Sequence, residues 1–239
     1  MIRVLVAPGT LVAEASIPLD EEEAHHLRVR RAATGDAILA YDGTGGIGHG
    51  VLTVHGKGFT VALTAVVQSP PPVPLVLAVA AGDRDRFLRL AEQCTELGVT
   101  TLIPLMTDRV MSVESRMREP ALEKARLRAR GACKQSGNPW ATLVESFTRL
   151  QDLSVGGPHC QWLLADPTGE PLSAQAVPTA CGWLIGPEGG FTAAELTFAT
   201  AELRARRTWL APHILRFETA ALSAVTLMVD RRGPPVRET

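Results

Sequence analysis

The sequence predicts an α/β domain preceded by a small β-barrel, and three observations carry that prediction. The segment Gln68-Ser69-Pro70-Pro71-Pro72-Val73-Pro74 divides the chain, because consecutive prolines make a stiff, extended connector. Before it, short apolar runs recur between turn residues, the spacing of strands in a small barrel. After it, apolar strand-like runs alternate with helix-like stretches, the pattern of a parallel sheet. The expected domains are residues 1–68 and 75–239, with 69–74 as the linker.

Bulk properties permit this. A chain of 239 residues suits one large domain or two small ones, and 46% hydrophobic residues are enough for proper cores. A net charge of −1 does not announce a nucleic-acid partner, so any basic surface must be local. Cys94, Cys133, Cys160 and Cys181 are widely spaced, with no C-x-x-C pair. They read as reduced, mostly buried thiols of a cytosolic protein rather than a zinc site or disulfide frame. No signal peptide is apparent and no window approaches a membrane span, so a cytoplasmic location without membrane contact is expected.

In the first domain, Ile2 to Ala7 reads as a strand. Asp20 is suited to cap a short helix, with Glu21, Glu22 and Glu23 on its positive end. That helix runs through His25-His26-Leu27-Arg28-Val29-Arg30-Arg31. Strands follow at Ala37 to Tyr41, Gly50 to Val54 and Phe59 to Val67. Gly43-Thr44-Gly45-Gly46-Ile47-Gly48 matches G-x-G-x-x-G, but a dinucleotide site needs a helix next. Strand-like residues follow instead, so the glycines read as a flexible hairpin loop.

The second domain opens on an apolar strand, Val73 to Ala81, and a helix from Asp85 to Leu97 that Gly98 ends. Thr101 to Met106 is the next strand. Pro120 starts a long helix through Gln135. Arg126, Arg130 and Lys134 recur there every four residues and share one face, which is either an ordinary solvated face or an RNA-facing stripe. Further strands are expected at Trp140 to Glu145, Gln161 to Ala165, Cys181 to Ile185 and Trp209 to Leu215. The last helix begins near Thr219, and its run Ala220 to Val229 is apolar enough to be buried on all sides. The tail, Arg231 to Thr239, has two prolines and is expected to fray.

The stretch Leu184-Ile185-Gly186-Pro187-Glu188-Gly189-Gly190-Phe191-Thr192 organises the chemistry. A strand stops at Gly-Pro, and two glycines free the backbone. A helix then starts with Thr192 as N-cap, Glu195 completing a capping box and Phe191 with Leu196 as a hydrophobic staple. Such a loop bares backbone N–H groups beside a ligand. Two other late loops, Asp166 to Gly169 and Ala211 to Glu218, belong to the same end of a parallel sheet, where ligands bind. Arg216 there suits an anchor for phosphate or a developing anion. Glu218 alone reads equally as a salt bridge or a cap. No serine–histidine–acid triad or metal set stands out, and of the six histidines only His213 shares a predicted crevice loop.

These residues resemble a known family. Leu184 to Thr192, followed by Ile214-Leu215-Arg216-Phe217-Glu218-Thr219-Ala220, is similar to the RsmE family of the SPOUT superfamily. His25 to Arg31 with Gly35-Asp36, Gly82-Asp83-Arg84, Thr95-Glu96-Leu97-Gly98-Val99 and Gln135-Ser136-Gly137 extend the likeness over nearly the whole chain. The resemblance implies an S-adenosyl-L-methionine-dependent methyltransferase that acts on N3 of a uridine in 16S ribosomal RNA, free or in the assembled small subunit. It also implies a PUA-like RNA-binding barrel, a SPOUT domain with a C-terminal trefoil knot, and a homodimer whose interface covers the last helix.

On this reading Leu164, Gly186, Leu210 and Leu215 line the adenosine pocket, with Pro187, Glu188, Gly189, Gly190, Ile214, Thr219 and Ala220 also at the cofactor. Arg28, Arg30 and Arg31, with Arg126, Arg130 and Lys134, hold RNA. Arg216 stabilises charge on the base, and Glu218 takes the proton, with Glu188 and His213 as further acceptors. Ala81, Asn138, Ala211, His213 and Phe217 depart from the family pattern, and several of the replaced residues are basic. Two alternatives stay open: a SPOUT enzyme acting on a ribose 2′-hydroxyl, and an RNA-binding SPOUT protein with weak or no catalysis.

Overall fold

A computed structural model describes residues 1–80, 82–110, 118–153 and 160–233. Ala81 and the tail beyond residue 233 lie outside the described residues. The chain divides into two compact units. One comprises Met1–Pro72 with Arg130–Ala141, the other Val73–Ala129 with Thr142–Thr239.

The first unit holds β1 (Ile2–Leu5), β2 (Ser16–Pro18), α1 (Glu21–Val29), β3 (Ala37–Tyr41), β4 (Gly46–His55) and β5 (Gly58–Gln68). The strands form a five-stranded sheet in the order β1-β3-β4-β5-β2. Its outer strands do not pair with each other among the described residues. Asp20 caps α1 by accepting the Glu23 N–H at 2.9 Å. Leu27 and Ala24 of α1 join Val4, Ile38, Leu52 and Val61 in one core. Burying a leucine such as Leu27, which is fully covered, contributes about 1.5–3 kcal/mol. Sequence reasoning missed β2, which is only three residues long.

The G-x-G-x-x-G stretch has a packing explanation. Gly46 and Gly48 lie within β4 rather than in a loop. Gly45 has φ +97°, and a Cβ there would sit 2.3 Å from the Trp140 ring. The Gly45 N–H donates to the Pro139 carbonyl and the Trp140 indole N–H to the Pro70 carbonyl. Trp140 is therefore a plug seated on glycine, not the start of a strand. Gly45→Val should destabilise this unit by about 3 kcal/mol, since it combines overpacking with a left-handed backbone. Thermal unfolding of the full chain measures it.

The second unit holds β6 (Leu75–Val79), α2 (Arg84–Glu96), β7 (Thr101–Met106), most of α3 (Glu119–Ser136), β8 (Leu143–Val144) and β9 (Thr148–Arg149). Then follow β10 (Gln161–Pro171), β11 (Cys181–Ile185), α4 (Ala193–Ala201), β12 (Arg206–Trp209) and α5 (Phe217–Arg232). Among the described residues the sheet runs β12-β10-β11-β6-β7-β8, and each neighbouring pair is parallel. The strands at its centre are apolar throughout, as expected where both faces are covered. β11 is buried at all five positions. Its alternate residues feed two clusters: Trp183 and Ile185 face Phe87, Phe217 and Met228, and Leu184 faces Trp162 and Phe191.

Three expectations are corrected here. The strand placed at Trp209 to Leu215 is β12, which ends at Trp209. The apolar residues after it face a cavity, and Pro212 removes a donor a strand would need. The predicted strand Trp140 to Glu145 contracts to Leu143–Val144. Finally, α5 is buried on one side only. Phe217, Ala220, Ala221, Ala224, Val225 and Met228 are covered, whereas Leu227 is 40% and Val229 36% exposed. A sheet covers one face of a helix, so an apolar run cannot be buried all round within one unit. The helix starts two residues earlier than expected because Phe217, 1% exposed, anchors its first turn in the core.

Candidate active site

The C-terminal ends of β11 and β12 converge with the middle of β10, where its pairing with β12 shifts register between Ala165 and Glu170. Their loops enclose a cavity of about 320 Å³, within the range of small-ligand sites. Its walls are mostly apolar: Ile185, Phe191, Leu196, Leu210 and Leu215. Its floor is backbone, supplied by Gly186, Gly189 and Gly190. Gly190 has φ +69°, and its N–H closes a turn onto the Pro187 carbonyl at 2.7 Å. The capping box forms as predicted: the Glu195 N–H donates to Thr192 Oγ1 and the Thr192 N–H to Glu195 Oε2.

The sequence did not reveal what braces this loop. Glu195, 2% exposed, accepts a second bond at Oε1 from the Asp108 N–H, at 2.9 Å. Arg109 donates to the Gly189 carbonyl. The segment after β7 thus holds the glycine loop from behind, some 80 residues away in sequence. The expected loop Asp166 to Gly169 is instead an irregular stretch inside β10, and it has its own brace. Asp166 Oδ1 accepts the Thr168 N–H and hydroxyl, and Oδ2 accepts Arg207 Nε at 2.8 Å. Burial works to raise the Asp166 pKa, but the Thr168 donors and Arg207 outweigh it and hold the carboxyl below its usual range. The spacing Asp166-Pro167-Thr168 is an Asx-turn signal that could have found the first half of this network. Nothing local marks Arg207 or Arg109.

Most of the predicted cofactor residues come together. Gly186, Pro187, Glu188, Gly189, Gly190, Leu210, Ile214, Leu215 and Ala220 line the cavity, joined by His213. Leu164 does not. It is fully buried in the cluster of Trp162 and Leu184, and its neighbour Ala165 reaches the cavity instead. Successive residues of a strand face opposite sides, so an assignment one residue off reverses the side. Thr219 is on the exposed side of α5, away from the lining.

Arg216 and Glu218 stand beside the cavity rather than in its wall. Arg216 is exposed at the N-cap of α5, and its side chain makes no capping bond. Glu218 Oε1 lies 3.3 Å from Arg86 Nη1. The same Arg86 atom is 4.0 Å from Glu188 Oε1. Of the departures from the family pattern, Ala211 and His213 line the cavity and Phe217 is core. Asn138 accepts the Trp140 N–H at 3.0 Å, shaping the turn that presents the indole.

The three cations of the α3 stripe have partners within the fold. Arg126 pairs with Glu119 at 2.5 Å and Glu123 at 2.6 Å, and its Nε donates to the Val144 carbonyl. Arg130 donates to the Val6 carbonyl at 3.0 Å. Lys134 pairs with Glu23, which is 4% exposed. A buried carboxylate needs a cation, so Lys134 is committed to structure. On α1, Arg28 bonds Glu21 and the Lys57 carbonyl, whereas Arg30 and Arg31, just past the helix end, are exposed. The four cysteines are free and buried, and burial pushes the Cys181 thiol up to about 12. No helix among the described residues is long and apolar enough to cross a membrane. No group of three metal-ligating side chains occurs among them either.

Comparison with known proteins bears on this geometry. The RNA methyltransferase domain family matches residues 69–229, and the RNA methyltransferase PUA domain family matches residues 19–63. Ribosomal RNA small subunit methyltransferase E of Synechocystis is 31% identical over 242 residues, covering 95% of this chain and 78% of its own length. The Rickettsia conorii protein of the same name is 26% identical over 86% of this chain and 85% of its own. A crystal structure of ribosomal RNA small subunit methyltransferase E from Neisseria gonorrhoeae bound to S-adenosyl methionine is 25% identical. It has a TM-score of 0.79 and covers 97% of this chain and 98% of that one.

Proposed function

Because the chain belongs to the ribosomal RNA small subunit methyltransferase E family, we propose that it methylates N3 of a uridine in 16S ribosomal RNA, using S-adenosyl-L-methionine. The observation that carries this reading is the cavity where β10, β11 and β12 come together. Apolar walls suit a purine face, and bared glycine backbone suits its polar edge. A Cβ at Gly186 would press on the Phe191 ring of the cavity wall, so the glycine keeps this space clear and the residues present fit the cofactor. When bound, that cofactor supplies an electrophilic methyl group and leaves as a neutral thioether.

The chain's own residues supply the rest. The target base must be unpaired or flipped out, at a cost of a few kcal/mol. Glu218 accepts the N3 proton, and the freed N3 electron pair forms the new bond to carbon. Negative charge that spreads onto the two flanking carbonyl oxygens is met by Arg216. Holding nitrogen and methyl in line supplies much of the rate by proximity.

RNA capture falls to the exposed end of α1. Arg30 and Arg31 hold phosphate, and Arg28 supports them. His26 is held below its ordinary pKa by burial, then by Lys134 and Arg30. Arg30→Ala with Arg31→Ala should flatten the salt dependence of RNA binding by about one unit of slope for each phosphate no longer neutralised. Lys134→Ala should lower stability and leave that slope unchanged. A second copy of the chain covers the exposed Leu227 and Val229 of α5, which light scattering reads as a dimer. The working place is the cytoplasm, where the small subunit is available.

The deciding experiment incubates the protein and cofactor with small subunits from a strain lacking the gene, then maps the methylated atom. N3-methyluridine is expected. A 2′-O-methyl product would favour ribose chemistry, and a silent calorimetric titration with the cofactor would favour an RNA-binding protein without catalysis.

A further inference from the structure

We infer that Arg86 is the positioning residue of this site: it holds Glu218 as the proton acceptor and ties it to the glycine loop. The inference rests on the proposed uridine methylation and adds to it a residue from a third segment. Arg86 stands on the first turn of α2, where its backbone N–H donates to Asp83 Oδ1 at 2.9 Å. Its Nη1 reaches Glu218 Oε1 at 3.3 Å and Glu188 Oε1 at 4.0 Å. Glu188 belongs to the cavity wall and Glu218 to the first turn of α5. One cation therefore joins the α2 start, the glycine loop and the α5 start.

The pairing is incomplete in an informative way. Glu218 Oε2 is out of solvent and has no hydrogen-bond partner. A buried acceptor left unpaired is unfavourable, and among the described residues the side chain is held through Oε1 by Arg86. Among the described residues Glu218 is ion-paired with Arg86 and, through it, linked to Glu188. On the same turn of α2, Arg84 and Asp85 stand 4.0 Å apart, and Arg216 begins the helix that carries Glu218.

Without Arg86 the Glu218 carboxylate loses the contact that fixes it at the start of α5. Methyl transfer should slow while cofactor affinity holds, because the proton acceptor meets the base and not the cofactor.

The test compares Arg86→Met, Arg86→Gln and Arg86→Lys with wild type, each saturated with cofactor, in single-turnover methylation of small subunits. Cofactor affinity should stay within about twofold. The methionine variant should lose about tenfold or more of the rate, and lysine should restore most of it. Glutamine carries the test if the methionine variant does not fold. A wild-type rate in the methionine or glutamine variant, or no recovery with lysine, would overturn the role. Should wild type transfer no methyl group to uridine, the proposed function falls on its own. Arg86 is then judged by crystal structures of wild type and Arg86→Met. A Glu218 carboxylate displaced in the variant supports the inference, and an unmoved one overturns it.

Discussion

Replacing Gly186 by valine should abolish cofactor binding, a loss of at least about a hundredfold in affinity, while the domain stays folded. A Cβ at Gly186 would lie 3.0 Å from Cδ2 and Cε2 of the Phe191 ring. That ring is 7% exposed and is itself part of the cavity wall. The branched valine side chain has two ways to fit: it enters the cavity, or it drives Phe191 into it. Either outcome removes volume from a space of about 320 Å³. The fold should survive because Gly186 is not among the positive-φ glycines, so valine meets no backbone penalty there. Gly190→Ala makes the contrast. Its φ of +69° costs a non-glycine residue about 1–2 kcal/mol, so that change strains the loop rather than filling the site. Calorimetry with S-adenosylmethionine, paired with a thermal melt, separates the two. Unchanged affinity in Gly186→Val would place the cofactor elsewhere.

How much of this was legible in the sequence depends on whether the determinant is local. The glycine loop, the Thr192–Glu195 capping box and strand β11 at Cys181–Ile185 were all readable, because each is fixed by residues within a few positions of one another. The same holds for the Asp20 cap of α1 and for β3 and β7. Errors arose where an apolar pattern has two possible destinations. Leu210, Ile214 and Leu215 read both as strand and as cofactor-facing, and of the two they line the cavity. Leu164 and Ala165 differ by one position and by which side of the sheet they face. The α3 cations read as a free stripe because their partners are distant: Glu23 lies 111 residues from Lys134, and Val6 lies 124 from Arg130. Arg86 shows the same limit, since only the folded chain brings it to Glu188 and Glu218.

Arg216→Ala should leave cofactor affinity within about twofold and lower single-turnover methylation by about two to three orders of magnitude. The neighbours on either side of Arg216 fix where it stands. Leu215 lines the cavity, and Phe217 is 1% exposed in the core. The residue between them is held at the cavity mouth by packing on both flanks. Its own side chain is exposed and makes no capping bond, so the guanidinium is available to a substrate. Neutral uridine N3 has no good lone pair, so its proton must leave before or as the methyl group arrives. The resulting charge lies on two carbonyl oxygens rather than on nitrogen alone. A donor that meets those oxygens acts mainly on the transition state, which predicts a fall in rate rather than in affinity. Arg216→Lys should recover only part of the rate, because an ammonium keeps the charge but lacks the planar fork that can offer two parallel bonds. Measuring the rate at saturating cofactor and enzyme decides the matter. Turnover near wild type in Arg216→Ala would remove this residue from the mechanism and leave proximity and Glu218 to account for the chemistry.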